Sequence, residues 1–125
     1  VSLGTDKELQ CKLPSAAADI TDIKLKRGVA LHQHSIENIQ DGLAPGYPAK
    51  HPVSTLVEGG AYVEVESPVT PESVVHVRHT ADGGLDQRGI YAGAAGNGLA
   101  ELANARFLTS SVTIDGKLVA VLELL

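Results

Sequence analysis

The sequence predicts an all-β protein: one compact barrel- or sandwich-like domain over residues 1–125, with long Gly/Pro-rich loops and at most one or two short helical turns. Three observations predict it. Val53–His79 holds valine-rich runs with a period of two, broken by Glu58-Gly59-Gly60 and by the Ser67–Glu72 stretch with its two prolines. A period of two puts alternate side chains on opposite faces of a sheet. Asp115-Gly116 lies between two apolar runs, a strong signal for a tight hairpin. Thirteen glycines and six prolines punctuate the rest, as a chain of many turns requires.

Each element follows from its local pattern. Val1–Leu3 is a short apolar start closed by the turn sequence Gly4-Thr5-Asp6. In Leu9–Leu13 the residues Leu9, Cys11 and Leu13 share one face, so Cys11 is expected as a small buried hydrophobe, and Pro14 ends the run. Ser15–Thr21 has an alanine triplet that could make one helical turn, but Asp19 and Thr21 favour a loop. Ile23–Lys26 and Gly28–His32 give one bent strand or two. Ser35–His51 is irregular, and a loop this long in a compact domain points to function or an excursion over a neighbour.

The central stretch gives three strands. Val53–Val57 is the first. Ala61–Val65 is the second, with Ala61, Val63 and Val65 opposed to Tyr62, Glu64 and Glu66. Val74–Arg78 is the third, with Val75 and Val77 opposed to Val74, His76 and Arg78. Ala81–Asn97 is Gly-rich around a possible short strand at Ile90–Ala92. Leu99–Ala105 is the best helical candidate, and Arg106–Leu108 begins a strand. In the last run Leu118, Ala120, Leu122 and Leu124 face one way and Val119, Val121, Glu123 and Leu125 the other. Both sets are largely apolar, which predicts a central strand covered on both sides.

Composition excludes several functions. The net charge is −5, whereas a nucleic-acid-binding chain needs a basic face. Lys24, Lys26 and Arg27 form the one basic cluster, read as a solvated strand end. The lone Cys11 permits no intrachain disulfide, in keeping with synthesis in a reducing cytoplasm. No apolar run is long enough for a membrane helix, and the start has no signal-peptide pattern. Aromatic residues are only 3%, so the core must rest on Val, Leu, Ile and Ala, and part of the apolar surface is expected to be buried between subunits.

No catalytic set emerges. His32 and His34 place two imidazoles on one strand face, a weak metal-ligand pair for which His51, His76 or His79 could supply a third donor. His76 and His79 are better read as strand-end residues bonded to backbone. Gly89–Gly98 lacks the Lys-Ser or Lys-Thr that a phosphate loop needs. Ser73, Ser110 and Ser111 have no nucleophile-elbow context, and Asp19, Asp22, Asp82 and Asp86 are not paired for acid–base work. No catalysis and no cofactor are expected.

Three stretches carry a family likeness: GVALHQHSIE at Gly28–Glu37, YPAKHPVSTLVEGGAYVEVESPVTPESVVHVRHTADGG at Tyr47–Gly84, and ARFLTSSVTIDGKLVAVLELL at Ala105–Leu125. Their order and their Gly, Val and Pro positions resemble the structural cement, or capsid decoration, proteins of tailed bacteriophages. The likeness spans roughly Gly28–Leu125. Members of that family usually have more chain ahead of the point matching Val1, so an N-terminal segment is expected to precede it. The resemblance implies a virion structural protein made in the host cytoplasm. It implies binding to the outer capsid surface as a homotrimer, bridging neighbouring major capsid protein subunits and stabilising the DNA-filled head. It implies no nucleic-acid or membrane partner. The competing classes are a metal-binding β-barrel enzyme or binding module using His32 and His34, and a receptor- or glycan-binding virion protein. The two Gly/Pro-rich loops supply the interface candidates: Tyr47, Arg88, Tyr91, Gly93 and Asn97. Tyr and Arg are common binding hot spots, and glycine lets backbone approach a neighbour closely.

Overall fold

The computed structural model describes residues 1–4, 11–22, 28–31, 52–81 and 88–125. Among them are eleven strands and one helical turn. The longest strand organises the rest. Strand β11 (Lys117–Leu124) pairs antiparallel with β5 (Gly59–Glu64) along one edge, from Val119 opposite Glu64 to Leu124 opposite Gly59. Its other edge takes two partners in succession: β10 (Val112–Ile114), then β9 (Ala105–Phe107). The strand is therefore central, as its two apolar faces predict. Ala120, Leu122 and Leu124 are buried, Leu122 to 1% exposure. The opposite set, Val119, Val121 and Glu123, is only half-buried, so a single face of the strand is fully covered.

The turn between β10 and β11 is built as its sequence demands. Asp115 has φ 52° and Gly116 φ 78°, both in the left-handed region. That pair of angles matches the right-handed twist of the flanking strands, which is why Asp-Gly is favoured there.

A second sheet has β6 (His76–Arg78) at its centre, between β7 (Tyr91–Ala92) and β8 (Leu99–Glu101). The two sheets meet where β5 runs out: Val65 bridges Tyr91, and the Glu66 amide donates to the Tyr91 carbonyl at 2.9 Å. Two smaller pairs complete the described strands, β1 (Ser2–Leu3) with β2 (Cys11–Lys12) and β3 (Val29–Ala30) with β4 (Thr55–Leu56). One hydrophobic cluster joins both larger sheets, with Val63, Val65, Val77, Phe107 and Leu122 in it, and helix α1 (Ala18–Thr21) seals one side through Ile20. The described sheets are open rather than closed into a barrel.

Several local expectations change. Leu99–Ala105 is not helical: it forms β8, a turn, and the start of β9. Its helix-forming residues are too few to hold a helix alone. The pairing of β8 with β6, extended by the Leu102 amide donating to the Val75 carbonyl, overrides their propensity. The helical turn lies instead at Ala18–Thr21, although Asp19 and Thr21 favour a loop. There Asp19 turns back on the preceding segment, accepting the Ser15 and Ala16 amides at 2.9 and 3.2 Å. Gly59 and Gly60 do not break the chain but open β5. Cys11 is half-buried rather than enclosed. His76 and Arg78 are buried although the alternation turned them away from the valine face, so β6 is covered on both faces.

Candidate functional site

The last part of the second Gly-rich loop is held by Arg78, which the alternation sets opposite Val75 and Val77. Arg78 ends β6 at 3% exposure. Its Nε and Nη2 donate to the two carboxylate oxygens of Glu66, each at 2.8 Å. Nη1 donates to the carbonyls of Thr80 and Asn97, both at 3.0 Å. One guanidinium thus ties the end of β5 to β6 and to the segment that leads into β8. Its planar fork suits this, because it offers a carboxylate two parallel bonds and still has donors left.

The glycines of this loop answer to the same packing. Gly98 has φ 74°, and a Cβ there would lie 2.4 Å from the Thr80 carbonyl oxygen and 2.9 Å from Arg78 Nη1. Gly93 packs against the preceding loop, where a Cβ would meet Val69 Cγ1 at 2.8 Å and Ser73 Cβ at 3.1 Å. That loop is fixed by side chains: Ser111 Oγ accepts the Val69 amide at 3.1 Å and Ser73 Oγ accepts the Thr70 amide at 3.0 Å. The three serines considered as nucleophiles therefore include two that serve backbone.

The interface candidates separate. Arg88 and Asn97 are exposed and Gly93 is half-exposed. Tyr91 is a core residue: burial among apolar neighbours pushes its phenol above the usual range, and its backbone carries the bridge to Val65. Tyr47, His32, His34 and His51 lie outside the described residues, as do Lys24, Lys26, Arg27, Asp82 and Asp86. His76 is buried with Nδ1 3.1 Å from the Val74 carbonyl oxygen, and His79 Nδ1 lies 2.8 Å from Thr80 Oγ1. Among the described residues no three His, Cys, Asp or Glu side chains gather where an ion could sit. No helix among them is long and apolar enough to cross a membrane.

One concave feature had no sequence signal. A pocket of about 290 Å³ opens beside α1, with Ile20, Val77, Leu102 and Leu124 in its wall and the exposed Val57 and Leu125 also lining it. These residues lie far apart in the chain, so no local motif reports it. Arg78 and Glu66 were missed for a related reason. An alternation pattern assigns a charged strand residue to solvent unless another segment, here Thr80 and Asn97, supplies acceptors on that face.

The described geometry is a set of short strands, buried polar ties and close-packed loops, with two exposed polar residues on the Gly-rich segment. The model of the family described as structural cement protein (E217 gp24/Pam3 gp6) matches residues 1–123. The chain belongs to this family of phage structural cement proteins, and its role is that of a virion structural protein associated with the phage capsid. No curated protein and no solved structure matches the chain.

Proposed function

We propose that the chain is a cement on the outer surface of the phage head, acting as a homotrimer that bridges neighbouring major capsid protein subunits. The observation that carries this is the family match over residues 1–123. The physics of the chain supports it. Several modest contacts on one trimer raise avidity well beyond any single contact, provided the unit is rigid enough to engage them together. The Arg78 guanidinium anchors the backbone at the exposed Asn97, and the Gly89 amide, donating to the Arg78 carbonyl, anchors the backbone beside the exposed Arg88. Tyr47, in the Gly/Pro-rich Ser35–His51 stretch of the sequence, is the matching candidate.

The test is pelleting of the purified chain with DNA-free heads. Wild type should saturate at a fixed ratio to the capsid protein. Tyr47→Ala and Arg88→Ala should weaken occupancy at least about tenfold, or 1.4 kcal/mol, with melting unchanged. Failure of wild type to pellet at any concentration would falsify the cement reading. Full occupancy by both variants would remove Tyr47 and Arg88 from the contact.

A further inference from the structure

We infer that the solvent face of the β5–β11 sheet, centred on Tyr62, is the surface through which one copy of this chain docks on another. The inference rests on the homotrimer reading above and names its contact face. Antiparallel register puts directly opposed residues on the same face. Val121 opposes Tyr62, and Val119 is flanked by Glu64 on one side and Val112 on the other. Ile114 opposes Lys117 at the hairpin end. Leu108 continues the row of Val121, donating its amide to the Val121 carbonyl at 2.8 Å. A side-chain carbon on Gly60 would meet both Leu108 Cδ1 and Val121 Cγ1 at 4.0 Å, so these apolar groups border one shallow step in the sheet.

This face is the reverse of the one that builds the core, yet it is also apolar. Tyr62 is 76% exposed and Val112 55%, with Leu108 and Ile114 exposed beside them. A contiguous apolar patch of this kind is uncommon on a protein that works alone. Tyr62 can bury roughly 150–250 Å² when covered. With its aliphatic neighbours it supplies the apolar centre of a standard interface of about 800 Å² per partner, the rim coming from elsewhere.

Charge permits a second copy as the occupant. The chain carries −5, so copies repel one another over most approaches. On this face the charges cancel. Lys117 pairs with Glu64 at 3.7 Å and Arg106 with Glu123, one pair on each side of the apolar rows. A face with no net charge can be covered by an acidic copy of the same chain without like-charge repulsion. In a closed ring of three the face meets a different surface of the next copy, because three-fold contacts are heterologous.

Sedimentation equilibrium of the full chain tests the face, with Tyr62→Glu placing a charge at its centre and Val112→Lys placing one on the exposed edge strand. Both positions are exposed, and circular dichroism should confirm the fold. Wild type should self-associate, and each variant should raise the dissociation constant at least about 100-fold. Folded variants that associate like wild type overturn the inference, as does a wild-type chain that stays monomeric at about 100 μM. Pelleting with shells in parallel separates the two readings. If the variants dissociate while wild type associates but fails to pellet, the docking face stands and the capsid reading falls. If the variants stay associated but fail to pellet, the face belongs to capsid protein and the inference falls.

Discussion

The central strand of the β11 sheet is fully covered on one face and that of the β6 sheet on both, and the two sheets are held by different means. In the first, a long strand lays Ala120, Leu122 and Leu124 against Val63 and Phe107, and the hydrogen-bond ladder runs along both of its edges. In the second, strands of two or three residues surround a buried guanidinium that bonds one carboxylate and two backbone carbonyls. Non-directional apolar burial holds the one, and directional polar bonds help to hold the other. The difference teaches where each sheet is fragile. An apolar core loses stability in proportion to the volume removed. A buried ion pair fails abruptly when one partner goes, because the other charge stays behind without compensation.

Removing that partner gives the largest expected effect. Arg78→Ala should cost about 3–5 kcal/mol by leaving the Glu66 carboxylate buried and unpaired. Arg78→Ala combined with Glu66→Ala should recover part of it, because the stranded charge is gone. Chemical denaturation of the two variants checks this. Equal losses in both would mean that the bonds to Thr80 and Asn97, not the carboxylate, account for the role of Arg78.

Leu122→Ala comes next. The residue is 1% exposed, and such a truncation costs about 2–5 kcal/mol. Glu123→Ala on the same strand should change stability by no more than about 1 kcal/mol, since its pair with Arg106 is on the surface. Thermal melts of the two variants give the contrast directly, and small equal shifts would place the strength of the first sheet elsewhere.

These two sheets also differ in how far the sequence discloses them. The alternation of Leu118–Leu124 and the Asp-Gly turn reveal β10, β11 and their central position, because period and turn chemistry are local. The family resemblance, carried by Gly, Val and Pro positions, leads to the cement class. The second sheet is less legible. Leu99–Ala105 has the composition of a helix, and only the partnership with β6 makes Leu99–Glu101 a strand. Arg78 on β6 and Glu66 in the bend past β5 are twelve residues apart, and no spacing rule joins them. Of the candidate contacts, Arg88 and Asn97 could be placed on a surface from their loop composition. The burial of Tyr91 depends on Val65 and Val77, which the loop does not contain.

A smaller effect is expected from Gly98→Ala. The left-handed backbone alone costs roughly 1–2 kcal/mol for a residue with a Cβ. Here the new carbon must also displace the Thr80 carbonyl or Arg78 Nη1. In the Arg78→Ala background one of these obstacles is absent, so the cost should shrink. A double-mutant cycle measures the coupling. Strict additivity would show that the guanidinium does not set the position of this loop.

The smallest effect concerns the single helical turn. The Ser15 amide bonded to Asp19 holds that carboxyl below its usual range, with Lys12 and the Ser15 hydroxyl adding to the shift. A folded-state value below the unfolded one means that the contribution is fully present above the ordinary carboxylate range of about 4. It fades as pH falls through the lowered folded value, because protonation then favours the unfolded chain. The turn carries Ile20 into the core, so weakening it should be felt by its neighbours β1 and β8. A hydrogen bond of this kind typically contributes about 1 kcal/mol. Asp19→Asn should therefore lower stability slightly at neutral pH and flatten its acid dependence. Denaturation from pH 7 down to about 3 measures both, since this interval spans the ordinary carboxylate range. An acid profile in Asp19→Asn with the same slope as wild type would assign the loss to other carboxylates.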